Sequence, residues 1–199
     1  MSLHALKEAC ALPPSVCCPS AVLTSPISSS SSLAKHGLLG SSVIPSKSFT
    51  PSVYLHVRYP SSQLSVNPGA TLPVDKTQER PTLDFAAAEG DERFTVALLD
   101  PDAKSREEPI WAPFRHWLIS GLKPGSPVKL DGEEHTGYMG PAPPAGTGPH
   151  RYAFLLPSAP RPNFFGDKDD RKKYNLAEFV DKNKLTLVGA NFFLAENKK

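Results

Sequence analysis

The chain has no cysteine beyond residue 18. Its three cysteines, Cys10, Cys17 and Cys18, are odd in number and crowded near the start. Adjacent cysteines rarely pair with each other, so no disulfide framework is expected and a reducing compartment is the natural reading. A zinc knuckle would need a fourth ligand, and the spacing of His4 to the cysteines fits no zinc pattern. No apolar run approaches the roughly 20 residues of a membrane-spanning helix. No arginine precedes Arg58, which argues against an arginine-rich presequence. Glu8, Pro13, Pro14 and Pro19 interrupt the apolar residues that a secretory signal would keep together. The expectation is an untargeted, cytoplasmic chain. Charge of one sign is also missing: 22 Lys and Arg stand against 20 Asp and Glu. That leaves no electrostatic case for nucleic acid and at most a peripheral membrane contact. There is no G-x-S-x-G elbow and no Walker loop, and Gly146-Thr147-Gly148 lacks the third glycine of a dinucleotide fingerprint. No metal or cofactor is expected.

Proline, by contrast, is abundant. Its 22 residues in 199 are about double the usual share of roughly 5%. So much proline opposes an all-helical protein and favours strands joined by shaped loops. With 39% apolar residues, the length suits one core. Residues 1–32, rich in Ser, Pro and Ala, are expected to be a flexible arm, with a short helix at 3–9, and residues 33–199 to be the folded domain. A second short helix is expected at 33–39, before Gly40.

From Ser52 to Arg58 apolar and polar residues alternate, a period-two strand signal. Further strands are expected at 82–85, 94–99, 115–120, 150–156 and 185–194, with turns at Asn67-Pro68-Gly69, Lys123 to Gly125 and Asp131-Gly132. Residues 175–183 read as a helix: Asn175 is a suitable N-cap, Glu178 follows three residues later, and Leu176, Phe179 and Val180 share a face. The fold class is mainly β, two antiparallel sheets in a Greek-key-type sandwich with a few short peripheral helices.

In the strand at 150–156, His150, Tyr152, Phe154 and Leu156 point together. The last two are core-like, so the inward face turns polar at one end, as at a pocket on the sandwich rim. Alone, this pattern is more often a loop-end histidine and a tyrosine reaching water. Asp100 and Asp102 bracket Pro101 where another strand ends, and in extended geometry they would share a face. An ordinary Asx-type turn is the plainer reading. His116 opens a third strand after Trp111 and Phe114. Together these signals put two histidines, two aspartates and a tyrosine at strand ends beside the Gly/Pro loop Gly140 to Gly148. Small loop residues let backbone N–H groups approach a ligand. A carboxylate beside an imidazole fixes its tautomer and favours its cation, which would hold a phosphate or carboxylate.

Asp100-Pro101-Asp102-Ala103 with Ser105-Arg106, then His116-Trp117-Leu118, then Gly140-Pro141-Ala142-Pro143-Pro144 leading to Gly146-Thr147-Gly148-Pro149-His150-Arg151-Tyr152, resemble the phosphatidylethanolamine-binding (Raf kinase inhibitor-like) proteins over roughly residues 35 to 196. Lys35 to Leu39 and Leu187 to Phe193 look most like the fungal branch, which includes the carboxypeptidase Y inhibitors. The resemblance implies a pocket for a phosphate-like anion or phospholipid headgroup at Asp100, Asp102, His116, His150 and Tyr152, with Phe114, Ala142 and Pro144 as walls. It implies a partner such as a serine carboxypeptidase or a kinase. In the inhibitor branch the N-terminal arm helps to block the protease, and the arm here does not match closely. The family usually has proline where Lys104 stands, a glycine is common at Ala142 in animal members, and a pocket tyrosine of some members matches Phe192. The segment 121–136 is shorter than in the yeast inhibitor type. A binding and regulatory protein, not an enzyme, is the expectation. The alternative is an acid–base enzyme, an isomerase or lyase using His116, His150, Asp100 and Asp102 on a small metabolite. A third reading is a vestigial pocket with an arm that docks a partner.

Overall fold

The computed structural model describes residues 26–87, 90–160 and 170–198. In chain order the elements are α1 (Pro26–Lys35), β1 (His56–Tyr59), β2 (Leu64–Ser65), β3 (Ala70–Thr71), a 3-10 turn (Val74–Lys76), β4 (Thr82–Asp84), β5 (Glu92–Asp100), β6 (Phe114–Leu122), β7 (Glu133–Thr136), β8 (His150–Pro160), α2 (Leu176–Lys182) and β9 (Thr186–Ala195). They form a three-stranded sheet, β2-β1-β4, and a six-stranded sheet, β3-β9-β8-β5-β6-β7. Every pairing is antiparallel except that of β3 with β9, so the larger sheet is mixed. The expected mainly β architecture of two sheets with few helices is the one observed.

The larger sheet is buried on both faces. Tyr152, Phe154 and Leu156 of β8 join Val57, Tyr59 and Leu83 in the core between the sheets. Ala153 and Leu155, on the opposite face, pack with Leu33 of α1 and Leu176 and Phe179 of α2. Burial on both faces removes any reason for alternation, which is why β5 reads as a nearly continuous apolar run from Phe94 to Leu99.

The antiparallel registers place the site. Asp100 at the end of β5 pairs with Phe114 at the start of β6. On the other side of β5, Leu99 pairs with Ala153 near the start of β8. One rim of the sheet therefore collects the end of β5 and the beginnings of β6 and β8.

Two expectations change at the N-terminal side. The first described helix spans Pro26–Lys35, inside the serine run rather than at 33–39. Proline suits a first helical position. Tertiary acceptors hold the serines: the Ser30 hydroxyl donates to the Phe49 carbonyl at 2.9 Å and that of Ser32 to the Pro68 carbonyl at 3.0 Å. Leu33 is buried. The stop is Gly37, not Gly40. Gly37, at φ +65, donates to Ala34, and Leu38 donates to Leu33, the paired bonds of a Schellman motif. The expected arm thus contains helix from residue 26, and the helix expected at 3–9 and the three cysteines lie outside the described residues. The strand expected from Ser52 begins only at His56, because the amides of Ser52 and Val53 both donate to the Val188 carbonyl.

Candidate functional site

The rim holds a cavity of about 200 Å³ lined by Asp100, His116, His150 and Tyr152 on its polar side. Phe114, Ala142 and Pro144, all expected walls, line it too. Ala103, Lys104, Trp111 and Met139 complete the lining and were not anticipated, apart from Lys104 as a departure from the family pattern.

His150 sits at the centre of the polar side. Its Nδ1 is 2.8 Å from Asp100 Oδ2 and its Nε2 is 3.0 Å from Thr147 Oγ1. The Thr147 hydroxyl spends its proton on the Pro144 carbonyl, at 2.8 Å, so its oxygen is left to accept. Nδ1 donates to the Asp100 carboxylate, and Nε2 faces the Thr147 hydroxyl. Asp100 is held in turn by its Oδ1, which accepts from the Asp102 backbone amide at 2.7 Å. That bond is the Asx-type turn, and it corrects the shared face expected of the two aspartates. The chain turns at Pro101 and sends them apart.

Asp102 does not line the cavity. It is 1% exposed and faces Arg151, whose Nη2 is 2.5 Å from its Oδ1. The Arg151 amide and Nε donate to its Oδ2 at 2.8 and 2.9 Å, and Arg106 adds a longer contact at 3.4 Å. Burial pushes the Asp102 carboxyl up, but the hydrogen bonds and charge of Arg151 outweigh it and hold the group below its usual range. Arg151 Nη1 also donates to the carbonyls of His36 and Gly37 just past α1. Neighbouring residues of β8 therefore work in opposite directions: His150 serves the cavity, and Arg151 ties the rim to α1.

His116 Nδ1 donates to the Met139 carbonyl at 2.9 Å, leaving Nε2 as an acceptor in the neutral ring. Burial lowers its pKa, and the opposing charge of Asp100 and the nearby carbonyls do not restore it, so the ring is neutral at neutral pH. It meets the Tyr152 ring edge-on at 5.2 Å. Tyr152 is fully buried and its hydroxyl has no well-aligned hydrogen-bond partner. Burial raises its pKa, Asp100 raises it further, and the Ala142 amide works the other way. Lys104 pairs with Glu108 at 3.3 Å, with both side chains about half exposed. Such a pair is worth little, so the ammonium is free to turn to a ligand at the mouth.

Phe192, matched by resemblance to a pocket tyrosine, lies on the other face of the sheet among the residues packed on the helices. Phe193 is the neighbour that stacks on Tyr152, at 5.3 Å. Strand alternation decides this, since β9 pairs Tyr152 with Phe193.

A serine, histidine and glutamate also meet elsewhere. Ser120 Oγ is 2.5 Å from His135 Nε2, and His135 Nδ1 is 3.5 Å from Glu133. Ser120 is fully buried and the His135 side chain is 2% exposed, so no substrate reaches the hydroxyl while β7 stays paired. Among the described residues no group of three metal-ligating side chains could hold an ion, and no helix is long and apolar enough to cross a membrane.

Comparison with known proteins agrees with this architecture. The family model "Phosphatidylethanolamine-binding protein" matches residues 62–193. Among curated proteins, the carboxypeptidase Y inhibitor of Saccharomyces cerevisiae is 34% identical, with 84% of this chain and 94% of that protein covered. The CEN-like protein 4 of Nicotiana tabacum is 31% identical, covering 73% of this chain and 82% of its own length. Among solved structures, carboxypeptidase Y inhibitor complexed with its cognate proteinase superposes with a TM-score of 0.79 at 34% identity, over 89% of this chain and 98% of that one. A phosphatidylethanolamine-binding protein from Plasmodium vivax, 23% identical, shares the fold with a TM-score of 0.71 over 84% of this chain and 97% of its own. With two thirds of its length under one family model and a 34% identical relative matched almost end to end, the chain belongs to the phosphatidylethanolamine-binding protein family.

Proposed function

We propose that this protein inhibits a serine carboxypeptidase and that its rim cavity holds a small phosphate-type anion. The likeness to the yeast inhibitor carries the first half: it runs nearly the full length of that protein, and the solved relative is bound to its proteinase. The comparisons lend this weight to a protease rather than a kinase. Inhibition needs no turnover, which agrees with the expectation of a protein that is not an enzyme.

The cavity supports the second half. His150 is anchored on Asp100, the buried Tyr152 hydroxyl has no well-aligned partner, and Lys104 stands at the mouth beside a loop of small residues. A phosphate oxygen that displaces the Thr147 hydroxyl from His150 Nε2 would accept from that nitrogen, with the Tyr152 hydroxyl and Lys104 as further donors, and charge-assisted bonds are stronger than neutral ones. The acid–base alternative is less well served. His116 is neutral with Nδ1 committed to Met139, and the Tyr152 hydroxyl is pushed to a pKa too high for an acid near neutral pH.

Peptide hydrolysis by carboxypeptidase Y, measured with rising amounts of the full chain, tests the first half. Inhibition that saturates near one molecule per protease supports it, and unchanged hydrolysis at micromolar protein overturns it. Calorimetry with inorganic phosphate and phosphoethanolamine tests the second. His150→Ala is expected to weaken binding at least tenfold, about the worth of one charge-assisted bond, and an unchanged affinity rejects the assignment.

A further inference from the structure

The turn at residues 144–149 reaches the central histidine of the cavity from behind. The Thr147 hydroxyl lies 3.0 Å from His150 Nε2 and donates to the Pro144 carbonyl at 2.8 Å. The other ring nitrogen, Nδ1, is held by Asp100. His150 is 1% exposed and lines the cavity, whereas Thr147 does not line it. Both polar atoms of this buried ring are therefore engaged by the protein itself, and Nε2 is spent on the turn instead of being offered to the cavity. A ligand that uses Nε2 has to take the place of that hydroxyl.

The turn is built to let go. Pro144 and Pro149 bracket it with fixed φ, so rotation is concentrated in the four residues between them. Gly146 and Gly148 stand at φ +75 and +73. A methyl on either glycine would meet no atom within 4 Å. Neither is therefore there to admit a close neighbour, and what both supply is backbone freedom. Ala145, Gly146 and Pro149 are exposed and Thr147 is half-buried. None of residues 145–149 belongs to either apolar cluster. The bond that closes the turn, from the Thr147 amide to the Pro144 carbonyl, is long at 3.4 Å. Displacing the turn thus costs the His150 contact and little apolar burial.

We propose that Thr147 is a built-in competitor for the rim cavity: its hydroxyl holds His150 Nε2 until an anion enters, and the turn then swings on Gly146 and Gly148 to hand that nitrogen over. This rests on the anion reading of the cavity and adds how the site is regulated.

Calorimetry with inorganic phosphate on the full chain, on Thr147→Val and on Thr147→Ser tests it. Valine keeps the shape of the side chain and removes the hydroxyl. Nε2 then lacks its partner before binding but not after it, so affinity should rise about fivefold, the worth of one neutral hydrogen bond. Serine keeps the hydroxyl and should bind as the wild type does. In a phosphate-soaked crystal of the wild type, the Thr147 hydroxyl should have left His150. If the wild type binds and Thr147→Val binds no tighter, or if phosphate is bound with Thr147 still on His150, the proposal fails and the anion reading stands. A rise shared equally by Thr147→Ser would trace to loosened packing and would also reject it. If Thr147→Val binds and the wild type does not, both readings are supported. If none of the three proteins binds at millimolar phosphate, the anion reading fails and the competitor role with it.

Discussion

Replacing Asp102 by asparagine removes one charge from a pair shielded on both sides. Its side chain is 1% exposed and that of Arg151 12%. Asparagine is nearly isosteric and keeps one acceptor oxygen, so the change isolates the charge. The Arg151 guanidinium is left without a counter-charge, with the amide oxygen and the carbonyls of His36 and Gly37 as its partners. Breaking such a pair costs about 3–5 kcal/mol, and the retained acceptor favours the lower end. With a urea slope of about 2 kcal/mol per M, the midpoint should fall by about 1.5 M. The effect should also fade in acid. The folded-state pKa of Asp102 lies below the ordinary aspartate value of 3.8. A depressed carboxylate contributes stability that is complete above the unfolded value and is lost as pH falls through the folded one. The difference between wild type and Asp102→Asn should therefore be largest at neutral pH and shrink below about pH 4. Urea unfolding followed by the fluorescence of Trp111 and Trp117 at both pH values measures this. A loss under about 1 kcal/mol at neutral pH, the range of an exposed pair, would refute the reasoning, as would an equal loss in acid.

Asn175 accepts from the Glu178 amide at 3.2 Å at the start of α2. Asn175→Ala should cost about 1 kcal/mol and lower Tm by about 2–4 °C in a calorimetric scan. Burial pushes the Tyr138 hydroxyl up to about 12 from the ordinary tyrosine value of 10.0, while its bond with Tyr59 opposes the shift. Because the unfolded tyrosine ionises first, the stabilisation present below the unfolded value is lost as pH rises from about 10 to about 12. Tyr138→Phe, which also removes the donation to the Thr77 carbonyl, should unfold more readily at neutral pH yet show a shallower alkaline limb in urea melts.

Much of the scaffold was legible because local chemistry and tertiary structure agree. The Asn175 cap and the shared face of Tyr152, Phe154 and Leu156 are set by backbone geometry that any helix start or strand repeats. Strands β2 and β3, two residues each, carry no periodicity, and β3 exists because β9 offers it partners. The helix through the serine run was hidden for a similar reason. Ser30 and Ser32 donate to Phe49 and Pro68, residues well separated in sequence. At the site, the strand-borne His116, His150 and Tyr152 stand on the cavity, as alternation implied. Trp111 and Met139 come from outside the strands, and neither obeys a period. The distinct directions of Asp100 and Asp102 depend on the turn at Pro101 and on Arg151 lying across from it. Arg151 adjoins His150 on β8, and an arginine next to a pocket histidine is the one local sign that the second aspartate had a partner of its own.

A crystal of the full chain soaked in phosphoethanolamine tests the rim cavity most directly. The expected result is a phosphate between His150, the Tyr152 hydroxyl and the Ala142 amide, with Asp102 still on Arg151 and untouched by the ligand. A phosphate bound at Arg151 or Arg106 with the cavity empty, or no bound phosphate at millimolar concentration, would contradict it.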